Sequence, residues 1–191
     1  MKKSLILLFV MVLTIILASC ERKKQPVVEP VADTLVVENF ISTDKEFVFL
    51  NYGEKYVWYE TNVTLKNFLD EENNAEIEEV SNVFQLAEGD PEVVVTTHNA
   101  LIDKIEIFHS FWIEDFDMSN DSIVVTFKEA FDTAMAVNLP KPHSKHVVLR
   151  KPIGPLPCNP QWVFGNVESQ IWVDAVTCEV AESNPAFPVE E

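Results

Sequence analysis

Short apolar runs rich in β-branched and aromatic residues recur along this chain, and they constrain its fold more than any other feature. Turn-forming or acidic stretches separate the runs, which is typical of short strands joined by loops. We therefore predict an all-β fold, namely a β-sandwich that is immunoglobulin-like or related. The strand candidates are residues 35–37, 47–50, 56–59, 62–68, 93–97, 123–127, 146–149, 162–165 and 171–174.

Three segments leave the choice between strand and helix open. Residues 77–86 could form a returning strand or a short helix. Residues 101–116 fit both spacings, but their β-branched and aromatic side chains favour a strand that pairs with 123–127 as a hairpin. Helix formers dominate residues 128–137, which could be one short helix in the otherwise all-β fold.

The first 20 residues are ordered like a secretory signal. Lys2 and Lys3 precede an apolar run of 13 residues, 5–17, which small residues and Cys20 follow. A membrane-spanning helix needs about 20 apolar residues, so the run predicts a signal peptide and not a permanent span.

Residues 17–20, Leu-Ala-Ser-Cys, resemble the lipobox of bacterial lipoproteins. The resemblance implies diacylation of the Cys20 sulfur, cleavage before Cys20 and acylation of the new amino group, with the membrane as a partner through the lipid. We accordingly expect a signal peptide at 1–19, a lipidated Cys and extended tether at 20–33, a β-sandwich domain at 34–181, and an acidic flexible tail at 182–191.

One acid, Glu21, and then three cations follow Cys20, where lipoproteins of the Bacteroidetes type that reach the cell surface carry an acidic cluster. By that resemblance, Arg22, Lys23 and Lys24 favour an anchor in the outer membrane that faces the periplasm. The leader holds two lysines and no acid, so its removal changes the formal charge from −17 to −19. Such a charge speaks against nucleic acid as a partner, because phosphate binding needs Lys and Arg.

The remaining two cysteines, Cys158 and Cys178, form an even pair in an oxidising compartment. We predict a disulfide between them, with two free thiols or a soft-metal pair as alternatives. Residues 173–180 are similar to the closing hairpin of PepSY-type domains, in which a Gly usually stands at the place of Cys178. We interpret this likeness as a shared hairpin turn.

Several residue sets could carry chemistry, and each has a simpler explanation. His143 and His146 could share a metal or be two exposed histidines at the start of a strand. Alternating oxygen ligands at 115–121 are typical of a calcium loop, but the positions that need Gly and a bidentate Glu hold Asn120 and Thr126, which favours a solvated turn. Four tryptophans could line a glycan-binding face or pack in the core. They are Trp58, Trp112, Trp162 and Trp172.

The sequence favours a non-enzymatic, lipid-anchored envelope module that binds or scaffolds a partner. A glycan-binding accessory lipoprotein is the first alternative, and a hydrolase or metal-dependent enzyme is the second. The chain has four glycines and no Gly-rich phosphate loop, and we expect neither a catalytic residue nor a cofactor.

Overall fold

Antiparallel pairing between neighbouring strands organises the fold. A computed structural model describes residues 36–71, 74–89, 91–112, 115–154 and 158–181. The predicted signal peptide at 1–19, Cys20 with the tether at 20–33, and the tail at 182–191 lie outside the described residues. The described strands are β1 Tyr56–Leu65, β2 Ile77–Leu86, β3 Val93–Asn99, β4 Asp103–Phe108, β5 Asp115–Phe116, β6 His146–Pro152, β7 Gln161–Gly165, β8 Gln170–Asp174 and β9 Val180–Ala181.

The described strands form one sheet in the order β4-β3-β2-β1-β6-β7-β8-β9, and β5 pairs with β6 beside it. Two helices accompany the sheet, α1 Val37–Tyr52 and α2 Phe127–Ala136. The predicted all-β, sandwich-like fold with a short helix is therefore confirmed. Residues 77–86 are a strand, and the helix expected at 128–137 is α2. None of the described helices is long and apolar enough to cross a membrane.

Both helices pack on the same face of the sheet. The strand register places Thr96, Asn82, Thr61, Leu149 and Trp162 opposite one another in one row across five strands. Helix α1 contacts this row at the β3 and β2 end, and the Phe127 ring of α2 lies edge-on against Trp162 at the other end. We call this side of the sheet the helix face. It holds the main core, with Trp58, Phe84, Leu149, Trp162 and Phe164 among its fully buried side chains.

A β-bulge in β1 divides its side chains between the two faces. The register with β2 shifts between Trp58 and Glu60, so Tyr59 is the extra residue. Without the extra residue, side chains two apart would share a face. Because of the bulge, Trp58 points into the core of the helix face, whereas Glu60 points to the opposite face.

Three predicted strands are wrong. Residues 37 and 47–50 lie in α1, whose inward residues recur at positions 37, 40, 41, 44, 47 and 48, the spacing of a helical stripe. Residues 123–126 have no strand pairing, and Phe127 begins α2. The predicted hairpin of 101–116 with 123–127 is therefore also wrong, because the strand within 101–116, β4, pairs with β3. Thr126 caps α2: its hydroxyl accepts from the Glu129 N–H, while the Glu129 carboxylate accepts from the Thr126 N–H.

Candidate functional site

Three of the four tryptophans are core residues. Trp58, Trp162 and Trp172 are each 1% exposed or less. Their indole N–H groups donate internally, to the Glu60 carbonyl at 3.1 Å, the Val125 carbonyl at 3.0 Å and the Gln170 side chain at 2.8 Å. Trp112 is half-buried in the segment after β4. The four rings therefore do not form the exposed row that the glycan-binding alternative needs.

The two loop histidines have separate surroundings. His143 stacks on Phe68 with ring centroids 4.1 Å apart, and its Nδ1 lies 3.0 Å from the Asp70 carboxylate. His146 is exposed at the start of β6, where its backbone N–H donates to the Ser144 hydroxyl. In the part of the chain that the structure describes, no group of three or more His, Cys, Asp or Glu side chains is placed to hold a metal ion.

The carboxylates of the calcium-like stretch point to different partners. Asp117 accepts from the Ser119 N–H at 2.7 Å, Asp121 pairs with Lys151 at 2.9 Å, and Asp115 lies 3.4 Å from Arg150. They do not converge on one point, which agrees with the interpretation of this stretch as a turn.

The predicted disulfide is absent, because Cys158 and Cys178 are both free thiols. The Cys178 sulfur lies 3.2 Å from the Thr133 hydroxyl of α2, and the Cys158 sulfur faces the Pro152 carbonyl at 3.9 Å. The two side chains thus have different neighbours. Burial raises the pKa of the Cys158 thiol, and the Lys151 charge only partly offsets this. A thiol of raised pKa is a poor nucleophile at neutral pH.

A buried acidic pair lies opposite the helix face. Glu60 is 5% exposed, and the Asp115 side chain has no exposed surface. The two carboxyl groups share a hydrogen bond, and Asn62 donates to Glu60 at 2.6 Å. Arg150, the register partner of Glu60 on β6, supplies the nearby positive charge.

Burial and this neighbourhood set the protonation of the pair. The pKa of Glu60 is raised to about 8, chiefly by burial and then by the hydrogen bond and the charge of Asp115. The Asn62 amide and the Arg150 charge oppose the rise. Two carboxyl groups in contact cannot both ionise cheaply, so a shared proton is favoured at neutral pH.

A second polar cluster fastens α1 to the sheet. Asp44 of α1 is 3% exposed and accepts from Asn82, Thr96 and His98, with the His98 Nε2 at 2.9 Å. The His98 Nδ1 in turn lies 2.8 Å from Asp103. Burial lowers the pKa of His98, but the hydrogen bonds and charges of Asp103 and Asp44 outweigh it, and the net change is upward.

Strand β4 presents several exposed apolar side chains. Ile105, Ile107 and Phe108 are 44%, 46% and 47% exposed. Leu101, Ile102 and Phe111 beside the strand are also exposed. Within the described sheet β4 is the terminal strand, and its partner is β3. We call β4 with these flanking side chains the β4 edge.

The hydrogen-bonding groups of β4 alternate between β3 and the open side. The Asn99 N–H donates to the Ile102 carbonyl at 3.0 Å, which identifies 99 and 102 as a hydrogen-bonded pair. In an antiparallel ladder such pairs recur at every second residue. Residues 104, 106 and 108 therefore bond to β3, and the N–H and C=O groups of Asp103, Ile105 and Ile107 point outward.

Sequence reasoning missed the acidic pair, the α1 cluster and the β4 edge. Glu60 and Asp44 are ordinary acids in a chain with 31 Asp and Glu residues, so composition could not single them out. The apolar alternation of β4 was visible, but its edge position depends on pairing between distant strands.

Comparison of the chain with protein-family models, with curated proteins and with solved structures found no match.

Proposed function

We propose that this chain is a lipid-anchored cell-envelope protein that binds or scaffolds a partner without catalysing a reaction. The anchor is Cys20, as the lipobox-like residues 17–20 imply, and the location is the outer membrane on its periplasmic side. The partner is held at the β4 edge by the addition of a strand.

The observation that supports partner binding is the combination of outward backbone groups and exposed apolar side chains on β4. An edge strand with outward N–H and C=O groups is a template for another strand. Peptide recognition by strand addition takes affinity from those groups and specificity from alternate side chains. At this edge the backbone groups of Asp103, Ile105 and Ile107 point outward, and both isoleucines are exposed.

The polar clusters favour binding over catalysis. The hydrogen bond between Glu60 and Asp115 and the ion pair between Asp115 and Arg150 join β1, β5 and β6, while the hydrogen bonds of Asp44 join α1 to the sheet. The carboxyl groups of Glu60 and Asp115 are both buried, whereas a general acid must reach a substrate. These groups are therefore better explained as links between structural elements.

A photoreactive residue at position 107 tests whether a partner binds at the β4 edge. In cells that make the full chain, we expect it to form specific adducts, because Ile107 faces a bound strand. A photoreactive residue at Val167, which is 98% exposed on the β7–β8 turn, is the matched control and should form none. Equal adduct formation at both positions would contradict binding at β4.

A proline at position 105 refines that experiment. Ile105→Pro removes an outward N–H but none of the β3–β4 hydrogen bonds, so the sheet should keep its fold and lose the adduct. Circular dichroism of the variant checks the fold. An adduct from position 107 that survives this substitution would show that strand pairing is not the means of binding.

Replacement of Cys20 tests the proposed lipid anchor. Cys20→Ser should release the chain from the membrane fraction and leave the leader uncleaved at that site. Val167→Ser serves as the control and should stay with the membrane. Unchanged partition and processing of Cys20→Ser would reject the anchor.

A further inference from the structure

We propose that the strand bound at β4 is β4 of a second copy of this chain, paired antiparallel about a two-fold axis at Ile105. The inference rests on the proposed function, because it names the partner of the same edge. It makes the chain a self-assembling module of the envelope.

The backbone of β4 suits this pairing. In an antiparallel ladder, residues with outward N–H and C=O groups pair with one another. With the axis at Ile105, the outward residue Ile105 meets its own copy, and Asp103 meets Ile107 of the second copy. Every outward N–H and C=O group of Asp103, Ile105 and Ile107 thereby gains a partner.

The charges of Lys104 and Glu106 favour this register over the registers in which the axis is shifted by one residue. Lys104 and Glu106 lie on the face opposite the helices, and within one chain their charged groups are 2.6 Å apart. With the axis at Ile105, Lys104 of each copy stands directly opposite Glu106 of the other, and this happens twice. A shift of the axis by one residue places Lys104 opposite Lys104 or Glu106 opposite Glu106, which is unfavourable.

The pairing also covers apolar surface and keeps the helices of both copies on one face. Ile105 and Ile107 both lie on the helix face, because they are the register partners of Thr96 and Val94. A two-fold axis perpendicular to the sheet keeps α1 of both copies on that same face.

The contact is small, so the dimer should be weak in solution. A pair of 6-residue strands buries less than the roughly 1,200 Å² of a stable interface, so we expect the purified chain to associate only at high concentration. Anchoring of both copies to one membrane raises their effective concentration and favours the pair.

Charge reversal tests the partner and the register together. In native membranes, the photoreactive residue at position 107 of the full chain should yield an adduct of twice the chain mass. Lys104→Glu alone and Glu106→Lys alone should each lower its yield at least about fivefold, because each places like charges opposite each other twice. The double variant Lys104→Glu with Glu106→Lys restores both unlike pairs and should restore the adduct.

Reversals on the exposed face of α2 are the matched controls. Lys128→Glu and Asp132→Lys change the net charge by the same amounts at a pair with a 2.6 Å contact, and they should leave the adduct unchanged. Mixed-tag pull-down and sedimentation of the purified chain provide a second measurement of self-association.

The outcomes separate the two proposals. Doubled mass with rescue by the double variant supports self-pairing. Adducts of another mass that Ile105→Pro abolishes would overturn self-pairing and leave strand binding at β4 intact. Doubled mass without rescue would overturn the register. Adducts at position 107 no more frequent than at 167 would overturn both proposals.

Discussion

Cys178 occupies a backbone conformation that side chains usually avoid. Its φ of 63° is the one positive value at a residue other than glycine in the described parts of the chain. It closes the β8–β9 hairpin, where its N–H donates to the Asp174 carbonyl at 3.0 Å. The position that usually holds Gly in similar hairpins therefore demands a left-handed conformation here too, which costs an L-residue about 1 kcal/mol or more.

Two substitutions of Cys178 separate this strain from the role of its sulfur. Cys178→Ala removes the sulfur and keeps Cβ, while Cys178→Gly removes both. We expect the Gly variant to be about 1 kcal/mol more stable than the Ala variant, because Gly adopts positive φ without strain. Urea unfolding measures the difference, and an Ala variant as stable as the Gly variant would contradict it. The same exchange at exposed Ser169 should not favour Gly.

Glu60 makes stability depend on pH. Its ordinary pKa is 4.5 and its folded pKa is about 8, so between these values the folded state holds a proton that the unfolded state has lost. Stability contributed by this group therefore falls as pH rises from about 4.5 to about 8. The cause is burial first and Asp115 second.

Glu60→Gln should remove that dependence, because the amide stays neutral and can still donate to Asp115. Its urea midpoint relative to the natural chain should rise between about pH 5 and about pH 8.5. Glu168→Gln, at an exposed acid, is the control and should show a constant difference. A difference for Glu60→Gln that is likewise independent of pH would show that the buried proton is not there.

At the scale of elements, α1 depends on one carboxylate. Asp44 is the buried residue through which the helix accepts hydrogen bonds from β2 and β3. The rest of its inward stripe is apolar or aromatic, and Phe40 stacks on His98 at 4.5 Å. Loss of the carboxylate would leave buried donors on the sheet without an acceptor.

Asp44→Ala should lower the free energy of unfolding by about 2–4 kcal/mol, because donors buried without partners are costly. The loss should be larger at about pH 6 than at about pH 8.5. A raised His98 pKa means that the ion pair contributes fully below the ordinary value of 6.5 and is lost as pH rises through the folded value. Glu46→Ala, on the exposed side of α1, should change stability by less than about 0.5 kcal/mol. Equal losses for both variants would refute the role of Asp44.

For the whole molecule, the formal charge of −17 favours solubility and opposes compactness. Self-repulsion among the acids weakens the folded state, and salt screens it. An increase from about 20 to about 150 mM NaCl should therefore raise the urea midpoint at about pH 7.5. The same increase at about pH 5, close to the sequence pI of 4.5, should have little effect, since the net charge is then small. A salt effect of equal size at both pH values would contradict self-repulsion as the cause.

Parts of the fold were predictable because their signals are local. Residues 146–149, 162–165 and 171–174 are short β-branched or aromatic runs bounded by turn-forming residues, which favours strands, and helix formers identify α2. The errors also have local causes. The stripe from Val37 to Val48 has helical spacing, and Thr126 with Glu129 is a capping box, so both signals were present but were outweighed by β-branched composition.

By itself, the sequence determined the β class, the acidic surface and the expectation of a lipid anchor at Cys20, since each depends on residues close together in the chain. Only the tertiary structure decided that Glu60 is buried beside Asp115, that Asp44 holds α1, and that β4 is an edge. These features depend on pairing between strands far apart in sequence and on a bulge that turns Glu60 to the other face. The register between strands that are far apart in sequence cannot be read from any single segment. This register brings the residues of the candidate site together.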